Sequence, residues 1–157
     1  MTYEAHAPIA DWTRGLTSHW LAVKLGVAPS LKLGLKPRPD LAGCRLRRPG
    51  SRTVYLVDPA GCRRRMPDDL AYARLFRDTS RIADHGGLEA IVRGPSFSAN
   101  TMLVRGHAAE TLYLLDRGRK RRIAGATTLH KYSFDSDRVF VVRQPLIDAM
   151  ECGSDWE

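Results

Sequence analysis

Nowhere does this chain string together the roughly 20 apolar residues a helix needs to cross a bilayer. Its first residues, Met1-Thr2-Tyr3-Glu4-Ala5-His6, also lack the basic start and apolar stretch of a signal peptide. The expectation is a protein that works in the cytoplasm, travels in a larger assembly, or leaves by another route. Cysteine is sparse: Cys44, Cys62 and Cys152 form neither a Cys-x-x-Cys pair nor a Cys/His cluster at zinc-finger spacing, which argues against a structural metal. Cys44 and Cys62 fall on strands flanking a third, about 10 Å apart and beyond disulfide reach. Three unpaired thiols suit a reducing compartment. Lysine is scarce too. Only Lys24, Lys32, Lys36, Lys120 and Lys131 stand among 25 basic residues, so the net charge of +8 is carried by arginine. The planar guanidinium fork suits phosphate and carboxylate recognition, although a GC-rich genome produces the same bias.

Catalytic signatures are missing as well. There is no Gly-x-Ser-x-Gly, no His-Glu-x-x-His, no phosphate loop and no dinucleotide-binding glycine triplet. His6, His19, His85, His107 and His130 are scattered, and Asp135-Ser136-Asp137 lacks the glycine and terminal glutamate of a calcium loop. The sequence therefore points to a non-enzyme with no cofactor and no metal.

What the chain does have is an internal repeat. Thr53-Val54-Tyr55-Leu56-Val57-Asp58 returns as Thr111-Leu112-Tyr113-Leu114-Leu115-Asp116, an offset of 58 residues. Each copy passes through a glycine, Gly61 or Gly118, into a basic run and one apolar residue: Cys62-Arg63-Arg64-Arg65-Met66 and Arg119-Lys120-Arg121-Arg122-Ile123, now offset by 57. Self-similarity of this kind signals one supersecondary unit used twice. It also weakens single-site enzyme readings, because the distinctive residues are duplicated rather than gathered at one centre.

The expected fold is α+β, with two tandem copies of a small unit over residues 41–94 and 95–157. Each unit reads as three short antiparallel strands, a helix, a returning strand and a short helix. The Thr-x-Tyr-Leu-x-Asp strand is apolar on both faces, as a central covered strand should be. Pro59-Ala60-Gly61 and Arg117-Gly118 read as hairpin turns. Pro67 followed by Asp68 and Asp69 starts a helix that should pack Leu70, Ala73 and Phe76, and Gly125–Tyr132 forms its weaker counterpart. Short helical turns at Leu88–Arg93 and Leu146–Cys152 should close the units. Residues 1–40 read as an arm: Trp12, Leu16, Trp20, Val23 and Val27 at helical spacing, an alternating strand over Leu31–Lys36, and a linker over Pro37–Asp40. Trp12 and Trp20 are candidates for docking a partner, though helical spacing also suits packing on the repeats.

The basic runs are the strongest candidates for binding, and Arg63, Arg64, Lys120 and Arg121 are the expected ligand contacts. Strand alternation turns one side chain of each run away from its neighbours. A core-facing arginine must then meet a carboxylate such as Asp58 or Asp116, because an unpaired buried charge is costly. The remainder should form two exposed cationic patches, or else simply guard solvated strand edges.

The succession Val-Tyr-Leu-x-Asp, glycine turn, basic run, isoleucine-like residue, helix and Asp-x-Val-x-Val-Val resembles a short bacterial repeat of secreted and cell-envelope proteins, where it recurs in tandem beside hydrolase or adhesion domains. The resemblance covers Leu46–Gly94 and, more closely, Leu103–Gly153, about two thirds of the chain. It implies an accessory binding or surface-attachment role at the cell envelope. Here no signal peptide and no attached enzyme accompany the repeats. The expected function is a non-catalytic repeat module, acting in binding or as a structural subunit of a cell-surface or virion assembly. Its expected partners are other protein subunits or an anionic polymer. The alternatives are a basic nucleic-acid-binding protein using arginine-rich hairpins and an enzyme of unrecognised class.

Overall fold

The structure, a computed structural model, describes residues 34–157. Trp12, Trp20, the helix expected around them and the start of the Leu31–Lys36 strand lie outside the described residues.

The described part is α+β, with two mixed sheets and short helices. In the first sheet, β1 (Arg45–Arg47), β2 (Val54–Val57) and β3 (Arg63–Arg65) run antiparallel in succession, and β2 is central as its two apolar faces require. Helix α1 (Asp69–Leu75) carries the chain across to β4 (Ile82–Asp84), which joins β1 in parallel. In the second sheet, β5 (Met102–Gly106), β6 (Leu112–Asp116) and β7 (Arg119–Arg122) are again successively antiparallel. Helix α2 (Ala126–Lys131) then leads to β8 (Phe140–Val142), parallel to β5. Helix α3 (Gln144–Asp148) leads to β9 (Glu151–Cys152), parallel to β7. On the corresponding side of β3 there is a single parallel bridge, Arg63 to Arg93.

Several local details depart from the sequence reading. Asp68 caps α1 by accepting from the Ala71 amide at 2.7 Å. That start rotates Ala71, Leu75 and the following Phe76 inward and leaves Leu70 61% exposed, so Leu70 is not the packing residue expected. Pro37–Asp40 is not a loose linker. The Lys36 amide donates to Ala90 O at 2.9 Å and the Arg38 amide to Gly61 O at 2.8 Å, and Pro39–Leu41 forms a 3-10 turn. The prolines offer no N–H, so the residues before them supply the donors that hold this strip to the first sheet. Leu88–Ala90 is one 3-10 turn, and Ile91 and Arg93 bridge extended neighbours rather than continuing a helix. The expected helix over Leu146–Cys152 starts earlier and ends at Asp148, giving way to β9.

The main core lies between the sheets. It joins Leu56, Leu75 and Phe76 of the first half to Leu103, Leu114, Tyr132, Phe134 and Trp156 of the second, with Phe97 from the connection. Phe76 stacks on Phe134 at 5.7 Å, Phe97 meets Trp156 at 6.1 Å, and Tyr132 meets Trp156 edge-on at 5.4 Å. Burial pushes the Tyr132 hydroxyl well above the ordinary tyrosine pKa, and that hydroxyl donates to Glu157 O at 2.9 Å. A smaller cluster of Leu46, Val57, Leu88 and Ile91 closes the outer face of the first sheet.

Candidate ligand-binding grooves

Three of the four basic residues expected to contact a ligand are buried and satisfied within the chain. Arg64 is 3% exposed. Its Nε donates to Pro95 O at 2.8 Å, its Nη2 to the Asp116 carboxylate, and its guanidinium lies 4.1 Å over the Phe97 ring. Burial lowers its pKa while the adjacent Asp116 opposes that fall. Arg63 donates to Ile91 O at 3.0 Å and to Glu89 at 2.6 Å, with its guanidinium 5.2 Å over Tyr55. Lys120 donates from Nζ to Ile147 O at 2.6 Å and sits 5.7 Å over Tyr113. Arg121 is half-buried, 5.8 Å over Trp156, with an Nη1 hydrogen bond of 3.4 Å to Ser154.

The expected pairing of a core-facing arginine with Asp116 is therefore present, but it joins the two sheets instead of crossing one hairpin. Asp58 pairs with no arginine among the described residues and instead accepts from the Cys62 amide at 2.8 Å across its turn. The expected exposed patches are absent at Arg63, Arg64 and Lys120. The reason is electrostatic: each finds carbonyl, carboxylate or aromatic partners that offset its desolvation.

The last residue of each run faces water, as does Arg119 at the start of the second, where it pairs with Glu151. Arg65 and Arg122 are exposed, and each lines a groove between the end of its basic strand, the start of the Thr-x-Tyr strand and the following helix. The first groove, about 390 Å³, includes Thr53, Val54, Arg65 and Met66. The second, about 360 Å³, includes Thr111, Leu112, Arg122 and Ile123. These are the residues that the 58- and 57-residue offsets bring into correspondence. Tyr72 of α1 and Leu129 of α2 complete the match at offset 57. The grooves are lined not by the middle of each basic run but by Arg65 and Arg122 at its end, with Arg52 beside Arg65 in the first groove. The available signal was position: Arg65 and Arg122 each stand last in their strand, next to the buried Met66 or Ile123.

Among the described residues, no three His, Cys, Asp or Glu side chains gather as metal ligands. Cys44, Cys62 and Cys152 are free thiols, and burial raises the Cys62 pKa. Asp135 accepts from the Asp137 amide at 3.1 Å, forming a local turn. Compared with protein-family models, curated proteins and solved structures, the chain finds no significant match.

Proposed function

We propose that the chain is a non-catalytic binding module in which one folding unit is used twice, each copy presenting a groove to an extended anionic polymer. The observation that carries this reading is the correspondence of the two grooves, residue for residue, at the offset of the sequence repeat. The pairing pattern supports it: two antiparallel partners, a helix, then a parallel return strand in each sheet. Smaller details agree. Phe97 N donates to Arg65 O at 3.0 Å and Trp156 N to Arg122 O at 2.7 Å; Gly94 N donates to Arg63 O at 3.0 Å and Gly153 N to Lys120 O at 2.9 Å.

Nucleic-acid binding through the hairpins loses its principal donors, since Arg63, Arg64 and Lys120 are spent inside the chain. Envelope or virion attachment fits an accessory binder of this kind, and the polymer would be a charged surface polysaccharide. Titration of labelled protein with partly methyl-esterified polygalacturonate, which offers charged and uncharged segments, followed by amide chemical shifts, tests the reading. Shifts are expected together at Thr53 and Met66 and at Thr111 and Ile123. Shifts confined to one groove, or found only elsewhere, reject a two-groove module.

A further inference from the structure

The two grooves share a register but not a charge. In the second, Arg122 is committed to Asp155 through both Nε and Nη2, at 2.9 and 2.7 Å, and Glu110 stands where the first groove has Arg52. In the first, Arg47 is held by Asp84 at 2.6 Å, while Arg52 and Arg65 are exposed and make no ion pair among the described residues. Asp68 and Asp69 also line this groove. Asp68 is engaged in capping α1, and neither aspartate forms an ion pair with Arg52 or Arg65.

We propose that the first groove is an oxyanion subsite in which Arg52 and Arg65 bind a carboxylate or phosphate borne on a larger, less polar group, and that the second groove takes an uncharged segment. This rests on the two-groove binding reading and names the chemistry of one groove. A guanidinium presents paired N–H donors that match the two oxygens of a carboxylate or phosphate. Val54, Met66 and the ring of Tyr72 supply an apolar wall for the rest of the ligand. The Tyr72 hydroxyl is turned to other work, donating to Asp78 O at 2.7 Å and accepting from Arg45.

Calorimetry of the full chain tests the assignment with four probes: an oligogalacturonate, glycerol phosphate oligomers, neutral dextran oligomers and single-stranded DNA. The first two separate carboxylate from phosphate as the source of the oxyanion. At least one should bind, with dextran and DNA weaker, and affinity should fall as salt rises. R52Q/R65Q should weaken that binding by about tenfold or more, as expected for lost charge-assisted hydrogen bonds. R52K/R65K should retain part of it, and R143Q, at an exposed arginine outside both grooves, should change it little. Thermal unfolding of each variant should match the parent. Dextran binding as tight as the charged probes, or an equal loss in R143Q, overturns the oxyanion assignment while leaving a two-groove module intact. Tightest binding to DNA overturns it in favour of a densely charged ligand. Failure of both charged probes to bind below about 1 mM overturns it outright.

Discussion

Arg64 and Asp116 show what a charged residue costs and gives when it is taken into a core. Both side chains are 3% exposed, and Asp116 also accepts from the Ser98 amide at 2.9 Å, so the pair ties β3, β6 and the connection between the halves. Removing one partner leaves the other charge buried. D116A should therefore lower unfolding free energy by about 3–5 kcal/mol in urea denaturation, whereas R64M/D116L should recover much of the loss because no charge remains to be desolvated. An effect of D116A below about 1 kcal/mol would place the pair with solvent-screened surface bridges instead. Asp135 gives a second residue-scale expectation. The hydrogen bond from the Arg77 guanidinium, aided by the Asp137 amide and by Arg138, holds its carboxyl below the usual aspartate range. A depressed folded-state pKa contributes stability that is complete above about pH 4, the unfolded aspartate value, and is lost as pH falls through the folded value. D135N should flatten the acid limb of the stability-pH curve, and an unchanged limb would remove Asp135 from the account.

Two hairpin glycines separate conformational cost from packing at the scale of single elements. Gly61 and Gly118 have nearly the same backbone, φ +76° and +74°, in the left-handed region that a Cβ disfavours. Around Gly118 a Cβ meets nothing, whereas at Gly61 it would come 2.4 Å from Pro39 N and 2.5 Å from Arg38 N. G118A should cost about 1–2 kcal/mol from backbone strain alone. G61A should cost clearly more and weaken protection of the Arg38 amide, measured by hydrogen exchange. Equal costs would mean that Pro39–Leu41 contributes little. The contrast also shows what the sequence could disclose. Both turns, the central position of β2 and the α1 start at Asp68 are written in local chemistry. The docking of Arg38 and Pro39 on Gly61 is not, because nothing in Pro37-Arg38-Pro39-Asp40 names the surface it lies on. Alternation indicated that part of each basic run turns inward, yet not that Arg63 and Lys120 would find carbonyls at Ile91 and Ile147. Those acceptors are created by the closing turns, far along the chain, and a pattern of period two cannot see them.

For the whole molecule, the governing fact is that the largest core belongs to neither half. Leu56, Leu75 and Phe76 are covered by Leu114, Tyr132, Phe134 and Trp156, so each half alone would expose an aromatic face. The full chain should show one cooperative transition across residues 34–157 by far-ultraviolet dichroism and tryptophan emission. F76A and F134A should be strongly non-additive, coupled by about 0.5 kcal/mol or more, as residues in contact are. Additive losses would separate the halves energetically. One consequence lies in which residues meet. Phe97 and Trp156 stand 59 residues apart and Phe76 and Phe134 stand 58 apart, close to the repeat offset, and each pair is in contact. In the two-copy reading, the unit recognises its own face, as the protomers of a symmetric dimer do. A shared backbone then fixes the two faces at a high effective concentration and spares their union any dependence on protein abundance. It also frees the copies to diverge, so that one groove can keep its arginines bare while the other neutralises them.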